Sequence, residues 1–400
     1  MGIEDLTTPN EQFNVQIIRK NIVKAGIHSV HPHPIPLSNL DLLSGRFPVT
    51  YFYVYSGPKS GSCTSMVEAL ESPLARTLDL YYPFAGRIVT NLKTEEPEII
   101  CDNSGALVME AHANIPLAGL DFYNLNQYLQ GKLVPINNEF PLQVQVTHYT
   151  CGSISITFTF DHALGDASAL GNFLRSWSEL ARGKPISCVP ILQRNHFIAR
   201  SPPTYHSFLD DNYISCNMMD ILDIPANDIT IRRLYHIDAL QIDRLQILAS
   251  AKGVKRTKIE AFSAYIWKIM ATTIGESITH CKMGWLVDGR TRMFPETKSM
   301  KNYIGNVLSV ATGEANICYL KGASLSDLGE IVHGAISKVA NEAHFLDLID
   351  WIECHRPGLM LAKIVLGRGG PCLVLSSAGR FPVAELDFGF GSPVLGTHWP

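Results

Sequence analysis

Apolar positions along the first part of the chain alternate between two periodicities, and each predicts an element. Residues 13–27 and 50–55 alternate or run apolar, and residues 49–55 read VTYFYVY, which is strongly typical of a β-strand. In residues 65–80 the large apolar residues recur four apart, which predicts a helix with one apolar face. These residues are Met66, Leu70, Leu74 and Leu78.

The clearest change of periodicity lies in residues 142–182. Apolar residues first occupy alternate positions on either side of Cys151-Gly152, which predicts a β-hairpin whose second strand runs to Asp161-His162. The spacing then becomes that of a helix, with Leu170, Phe173, Leu174, Trp177 and Leu180 on one face. His162 therefore stands where a strand meets a helix, a frequent position for functional groups.

The second half of the chain repeats this mixture of elements. Prolines and glycines weaken the pattern over 183–214, which predicts a linker. Helices are predicted near 239–252 and 257–272, and strands at 283–287, 306–312 and 371–376. Their expected apolar faces are Leu240, Ile242, Leu245 and Leu248 in the first helix, and Phe262, Ile266 and Ile269 in the second. Since 400 residues exceed what one core usually serves, we expect two domains, 1–182 and 215–400, joined by residues 183–214.

Composition and charge exclude several classes of protein. The formal net charge is −4 with no basic cluster, so nucleic acid is not an expected partner. The nine cysteines include no C-x-x-C pair and are odd in number, which favours free thiols in a reducing compartment. The first six residues lack the pattern of a secretory signal, and no apolar run reaches the roughly 18 residues of a membrane span. We expect a cytoplasmic protein with no membrane partner.

Candidate chemistry centres on His162, which begins an H-x-x-x-D pattern ending at Asp166. Such a pattern is weak alone, and a second match runs from His206 to Asp210 inside the expected linker. A linker gives a reactive group little rigid support, so His162 is the better candidate. The alternative is a core histidine satisfied by a backbone carbonyl. Asp166 precedes an apolar-periodic helix, and we expect it to cap that helix rather than take part in chemistry.

Other motifs fit no catalytic family by themselves. Asp387-Phe388-Gly389 resembles the D-F-G of kinases, but the chain has no H-R-D loop and no Gly-rich phosphate loop. The S-x-x-K at 56–59 contains Gly-Pro, which marks a turn rather than a helix. The histidines at 28, 31 and 33 lack further ligands at suitable spacing, so no metal site is predicted.

Taken together, the segments resemble the plant BAHD acyltransferase family. Residues 160–166 (FDHALGD) are similar to its H-x-x-x-D motif, and residues 387–391 (DFGFG) are similar to its D-F-G-W-G motif. Further landmarks follow in the family's order at residues 37–41 (LSNLD), 82–87 (YPFAGR), 288–292 (DGRTR) and 303–306 (YIGN). The resemblance implies an α/β fold with mixed sheets, in two similar chloramphenicol acetyltransferase-like domains with a channel between them. It also implies a monomer with acyl-CoA as co-substrate.

Roles for several residues follow from the resemblance. His162 lies at the channel centre, Asp387 has a structural role, and by position its arginine partner is Arg290. Lys255, Arg256 and Lys258 resemble the family's CoA-side loop, although a solvated basic cluster is an alternative. Arg380 resembles an arginine that meets acidic acceptors in some members.

The expected reaction moves an acyl group from acyl-CoA to a hydroxyl or amine, with His162 as general base. A thioester is already activated, so neither a covalent nucleophile nor a metal is needed. The chain departs from the family in Phe390, where Trp is usual, and in having only nine residues after Gly391. That short end predicts an uncovered sheet edge. It also favours an alternative, a truncated member that only binds a ligand or partner. A hydrolase that uses His162 on water is a third hypothesis.

Overall fold

The computed structural model describes residues 13–26, 31–57, 64–124, 126–129, 131–135, 139–217, 231–251, 253–293, 298–378, 381–382 and 385–399. Its strands are β1 (Val15–Val23), β2 (His33–Pro36), β3 (Pro48–Tyr55), β4 (Arg87–Thr90), β5 (Pro97–Cys101), β6 (Ala106–Ala113), β7 (Leu142–His148), β8 (Ile154–Asp161), β9 (Tyr213–Cys216), β10 (His280–Asp288), β11 (Leu308–Asn316), β12 (Leu359–Ala362), β13 (Cys372–Leu375) and β14 (Leu395–Trp399). Its helices are α1 (Asn39–Ser44), α2 (Thr64–Leu80), α3 (Asn126–Leu129), α4 (Ala167–Ala181), α5 (Phe208–Asn212), α6 (Ala239–Ala249), α7 (Lys258–Thr273), α8 (Arg290–Met293), α9 (Ile317–Gly322), α10 (Leu325–Val339) and α11 (Glu342–His355). None of the helices among these residues is long and apolar enough to cross a membrane.

A six-stranded mixed sheet organises the first half, in the order β1-β6-β7-β8-β3-β14. β7 and β8 form the predicted hairpin, with Leu142 opposite Phe160 and His148 opposite Ile154. The pair β6–β7 is parallel, whereas the other pairs of this sheet are antiparallel. The alternating apolar residues of β7 and β8 form the core on one face of this sheet, and the polar residues between them are buried on the other face.

Helices α2 and α4 cover that face, as their apolar spacing predicts. Leu70 and Leu74 of α2 and Phe173 and Trp177 of α4 are fully buried in one core with the strand residues. The Trp177 indole Nε1 donates a hydrogen bond to the Leu70 carbonyl at 3.0 Å, so this large side chain leaves no polar atom unpaired there. Burying each such side chain contributes about 1.5–3 kcal/mol, which fixes α4 and hence the junction that carries His162.

The second half contains a three-stranded sheet in the order β11-β10-β13, packed against α7 and α10. The buried face of α7 differs from the predicted one, because Ala264 and Trp267 are fully buried while Ile269 is 40% exposed. The predicted face of α6 is only partly covered by the described residues, since Leu240 is 71% and Leu248 is 55% exposed while Ile242 and Leu245 are half-buried. Gly313 of β11 lies against Trp267, and a Cβ at Gly313 would stand 3.2 Å from the indole ring, so α7 packs closely on the sheet at this point.

The two halves exchange segments at their boundaries. Leu40 of α1 belongs to the second core, whereas Leu386 and Phe388 belong to the first. β14 extends the first sheet beyond β3, at the edge where residues 395–399 pair with residues 50–54. Within the expected linker, α5 is ordered and β9, which begins at Tyr213, pairs with β12. Because segments cross these boundaries, the division into domains 1–182 and 215–400 with a linker at 183–214 stays a prediction.

Candidate active site

His162 follows β8 directly and begins a single 3-10 turn, His162–Leu164. Its backbone N–H donates to the Phe47 carbonyl at 2.9 Å, and its own carbonyl accepts from the Asn306 amide nitrogen Nδ2 at 2.9 Å. The imidazole stacks on the Phe47 ring, with centroids 4.6 Å apart and planes inclined by 21°. Contacts from both halves of the chain thus fix the backbone and the ring.

The environment of this imidazole favours its neutral form. Nδ1 of His162 is buried and has no hydrogen-bond partner among the described residues. Burial lowers the pKa of His162 below its usual value, and the nearby carboxylates of Asp166, Asp161 and Asp41 oppose that shift without cancelling it. A neutral imidazole has a free lone pair, so the group is a base at neutral pH.

The carboxylate of Asp166 is engaged in bonds that exclude a catalytic dyad with His162. Its Oδ1 accepts the backbone N–H groups of Ser168 at 3.0 Å and Ala169 at 3.2 Å, so Asp166 is the N-cap of α4 as the pattern predicts. Its Oδ2 accepts from the Arg290 guanidinium at 2.7 Å and from the Val307 N–H at 3.0 Å. With Asp166 only 1% exposed, these bonds occupy the carboxylate.

Arg290 joins the two halves at this point. Besides Asp166, its guanidinium donates to the Gly305 carbonyl at 2.7 Å and lies 3.3 Å from Asp288. The two carboxylates raise the pKa of Arg290, although burial alone would lower it. The expected partnership of Arg290 with Asp387 is not found, because Arg290 reaches the strand-to-helix junction instead.

Asp387 closes a turn within its own motif. Its Oδ1 accepts the N–H groups of Gly389 at 2.8 Å and Gly391 at 2.9 Å. The neighbouring Phe388 is buried against Phe158 and Trp177, which anchors the segment on the first core. These contacts give Asp387 a local turn-forming position away from Arg290.

Gly165 allows the two halves to come together beside His162. A Cβ at this position would lie 2.6 Å from the Ala169 Cβ and 3.1 Å from the Gly305 backbone nitrogen. The Asp166 N–H also approaches the Gly305 carbonyl at 3.4 Å. Only glycine fits this close approach without displacing a backbone.

A buried group of polar residues near His162 has no role predicted from the sequence, although Asp41 and Asn306 lie in the landmark segments 37–41 and 303–306. Asp41 forms a capping box with Ser38 at the start of α1, and its Oδ1 accepts from the Asn306 N–H at 2.7 Å. Asp41 also forms a buried ion pair with Arg194, whose guanidinium donates to the Leu164 carbonyl at 3.2 Å. The Ser-x-x-Asp spacing signals a helix cap. No local pattern connects it to Arg194 or Asn306.

Two cavities flank the residues that hold His162. One, of about 290 Å³, is lined by Phe47 and Asp161, which adjoin His162, and by Phe140. The other, of about 350 Å³, lies between the halves and is lined by Ser168 of α4 and Asp288 and Arg290 of the second half. Both cavities thus adjoin residues next to His162 in the chain or in the network around Asp166, although His162 itself is not among their lining residues.

A larger cavity lies away from this junction. Its volume is about 750 Å³, and it lies where residues 192–201 pass residues 33–39. Among the described site residues predicted from the sequence, none lines it. We therefore centre the candidate site on His162 and not on this larger cavity.

The remaining predicted residues lie elsewhere or outside the described residues. Lys255 and Lys258 are exposed near the start of α7, and Lys258 lies 2.6 Å from Asp243. Arg256 between them is only 7% exposed, so its guanidinium is not part of a solvated cluster. Arg380 lies outside the described residues. His206 of the second H-x-x-x-D match is exposed, and its Nδ1 accepts the Phe208 N–H at 3.1 Å.

Comparison with known proteins decides the family. The profile of a family described as "Transferase family" matches residues 13–398. The chain belongs to this family, the BAHD acyltransferases. The expected family, the α/β fold and the acyl-CoA-dependent acyltransferase activity are thereby confirmed, with acyl-CoA as the co-substrate.

Individual relatives and solved structures agree with this family. The chain is 30% identical over 384 residues to a hydroxycinnamoyl-CoA:5-hydroxyanthranilate N-hydroxycinnamoyltransferase of Avena sativa, covering 90% of the chain and 84% of that protein. It is 26% identical over 377 residues to an omega-hydroxypalmitate O-feruloyl transferase of Arabidopsis thaliana, covering 90% of the chain and 79% of that protein. The crystal structure of vinorine synthase shares the fold with a TM-score of 0.68 at 21% identity, over 96% of this chain and 88% of that one. TRI101 of F. graminearum, complexed with ethyl coenzyme A, has a TM-score of 0.73 at 15% identity, over 92% and 89% of the two chains.

Proposed function

We propose that this BAHD acyltransferase transfers a hydroxycinnamoyl-type aromatic acyl group from CoA to a hydroxyl or amine, with His162 as general base. The observation that carries the proposal is the position of His162, a partly buried base at the junction of β8 and α4, where neighbouring residues line two cavities. His162 removes the acceptor proton as the acceptor oxygen or nitrogen attacks the thioester carbonyl. The CoA thiolate then leaves, so the reaction needs no covalent enzyme intermediate.

Aromatic side chains near His162 support a planar acyl group. Phe47 and Phe140 line the cavity beside His162, and the Arg87 guanidinium lies 4.2 Å from the Phe140 ring centroid. On the other side, Phe381 lines the second cavity and stacks on Tyr51 with ring centroids 4.4 Å apart. Aromatic walls favour offset stacking with a flat phenolic ring. The named relatives that act on hydroxycinnamoyl and feruloyl groups point to the same donors.

Structural roles near the site form part of the proposal. Asp166 and Arg290 hold the two halves in register around His162, and Asp387 shapes the D-F-G-F-G turn. Lys255, Arg256 and Lys258 belong to the CoA side, where their charges would meet phosphates. Arg380 is proposed for the acceptor side. We also propose a cytoplasmic monomer without nucleic-acid or membrane partners; the eight described cysteines, all free, support a reducing location.

The test is a panel of acyl-CoAs crossed with acceptors and read by mass spectrometry. Coumaroyl-, caffeoyl- and feruloyl-CoA are offered against acetyl-CoA, with aromatic amines, agmatine, fatty alcohols and ω-hydroxy fatty acids as acceptors. We expect acylated product from the aromatic donors and at least about tenfold less product from acetyl-CoA, because an acetyl group cannot stack on the aromatic side chains. Free acid without acylated product would instead indicate a hydrolase. Binding without any product would indicate a non-catalytic member.

A further inference from the structure

Three potential metal ligands converge at the end of the first sheet that lies opposite His162. Glu110 and His112 are two residues apart on β6, so their side chains share one face of the sheet. His148, the last residue of β7, is the register partner of His112 in the parallel β6–β7 pair. One ligand atom from each of the three side chains lies within 4.8 Å of the other two.

Hydrogen bonding within the protein does not satisfy this group. Glu110 is 3% and His148 is 5% exposed, and the His148 Nε2 lies 3.0 Å from the Glu110 Oε1. The other ring nitrogen of His148, Nδ1, is buried without a partner among the described residues. A buried polar atom left unpaired is costly, so the His148 ring is only partly satisfied by the described residues.

We propose that Glu110, His112 and His148 bind a first-row divalent metal ion, with Zn²⁺ as the best match. Two imidazoles and one carboxylate form a ligand set that suits zinc. Tetrahedral bonds of about 2.0–2.1 Å place neighbouring ligand atoms about 3.3 Å apart. With Nε2 as the ligand atom of His148, its 3.0 Å separation from the Glu110 Oε1 is close to this spacing. The exposed ring of His112 would turn inward to reach it.

The exposure of the ligands fits metal binding. His112 is exposed and its ring lies 5.2 Å from that of His148, which gives an ion a route from solvent. Water is the natural fourth ligand on that side.

The site is remote from the chemistry. His148 is six residues along β7 from Leu142, which pairs with Phe160 just before the catalytic turn. At 3.2–3.4 Å per residue this separates the two sites by roughly 20 Å. The ion therefore links β6 to β7 and stabilises the sheet, and it takes no part in acyl transfer.

Equilibrium dialysis of the chelator-treated full chain against Zn²⁺ and Co²⁺ tests the proposal. We expect the wild-type protein to bind one ion, and His112→Ala, which changes an exposed side chain, to bind it at least about tenfold more weakly. Glu110→Gln removes the anionic ligand and should weaken binding similarly. His236→Ala is the matched control, because His236 is exposed and lies outside the cluster.

The spectrum of the Co²⁺ form identifies the ligands. Nitrogen and oxygen ligands give weak visible bands, whereas a cysteine thiolate adds an intense near-ultraviolet charge-transfer band. Binding that is equal in wild type and His112→Ala, a thiolate band, or no binding to the wild type would each overturn the proposal. A rise in Tm with Zn²⁺ that disappears in His112→Ala would support it independently of catalysis.

Discussion

At the scale of single residues, the structure holds His162 as an unprotonated ring whose orientation does not depend on a carboxylate. Stacking on Phe47 and the two backbone hydrogen bonds set its position. Asp166 is occupied by other donors, so it acts on the imidazole only through its charge. The base strength of His162 therefore depends on burial and on the three carboxylates around it.

The pH dependence of catalysis follows from this balance. Because burial lowers the pKa of His162, we expect the acid limb of kcat/KM to fall below pH 6.5 and the activity to be lost only as pH drops through it. Asp161→Asn removes a charge that raises this pKa, so the limb should move to still lower pH. Steady-state rates between pH 4.5 and 8 measure both. An acid limb above pH 6.5, or a shift upward in the variant, would contradict this picture.

At the scale of elements, the junction between β8 and α4 depends on one buried ion pair across the halves. Asp166 caps α4 from the first half while Arg290 approaches from the second. Both side chains are 2% exposed, so each carboxylate or guanidinium charge depends on its partner.

Removing the Asp166 carboxylate should therefore destabilise the protein more than the loss of an ordinary helix N-cap does. We expect Asp166→Ala to lower the free energy of unfolding by about 3–5 kcal/mol, since it leaves Arg290 buried without this partner. Ser324→Ala is the matched control: Ser324 caps α10 in an exposed capping box, and its loss should cost about 1 kcal/mol. Urea unfolding compares the two. Equal losses would show that Asp166 only caps its helix.

The local elements around His162 could be predicted from the sequence, because alternating residues and helical spacing are short-range signals. The hairpin, α4 and the capping position of Asp166 follow from residues 142–182 alone. The partner of Arg290 could not be predicted, since it depends on which segments meet across the halves. The exposed Leu240 shows the same limit, as spacing predicts an apolar face but not whether another element covers it.

At the scale of the whole molecule, each half contributes chain to the other. Leu40 packs in the second core and Leu386 in the first, and the Arg356 guanidinium forms an ion pair with Glu96. The expected mixed-sheet fold could be inferred from motifs spread along the chain. The exchange of segments could not, because residues hundreds of positions apart decide it.

Buried histidines make the folded molecule sensitive to acid. The pKa of His344 falls to about 4 because it is buried, so the folded state resists a proton that the unfolded chain accepts near pH 6.5. Its contribution to stability is complete above pH 6.5 and is lost as pH falls towards 4. Between pH 7 and pH 5, the resulting loss of unfolding free energy should amount to about 2 kcal/mol.

Replacing this residue tests the acid sensitivity. His344→Gln keeps a group that can bond to the Ser309 hydroxyl, which lies 2.7 Å from the His344 Nε2, but cannot be protonated. The loss of unfolding free energy from pH 7 to 5 should shrink by about 2 kcal/mol in this variant. The exposed His236→Gln control should leave it unchanged. Identical pH slopes for His344→Gln and wild type would contradict the assignment.

The most direct test of the central claim compares wild type with His162→Gln under single-turnover conditions, using the best acyl-CoA and acceptor of the panel. We expect the rate of acyl transfer to fall by about 10²–10⁴-fold, because the acceptor loses its base, while CoA affinity and Tm stay near wild type. A variant that is folded, binds CoA and transfers the acyl group at the wild-type rate would show that His162 is not the base.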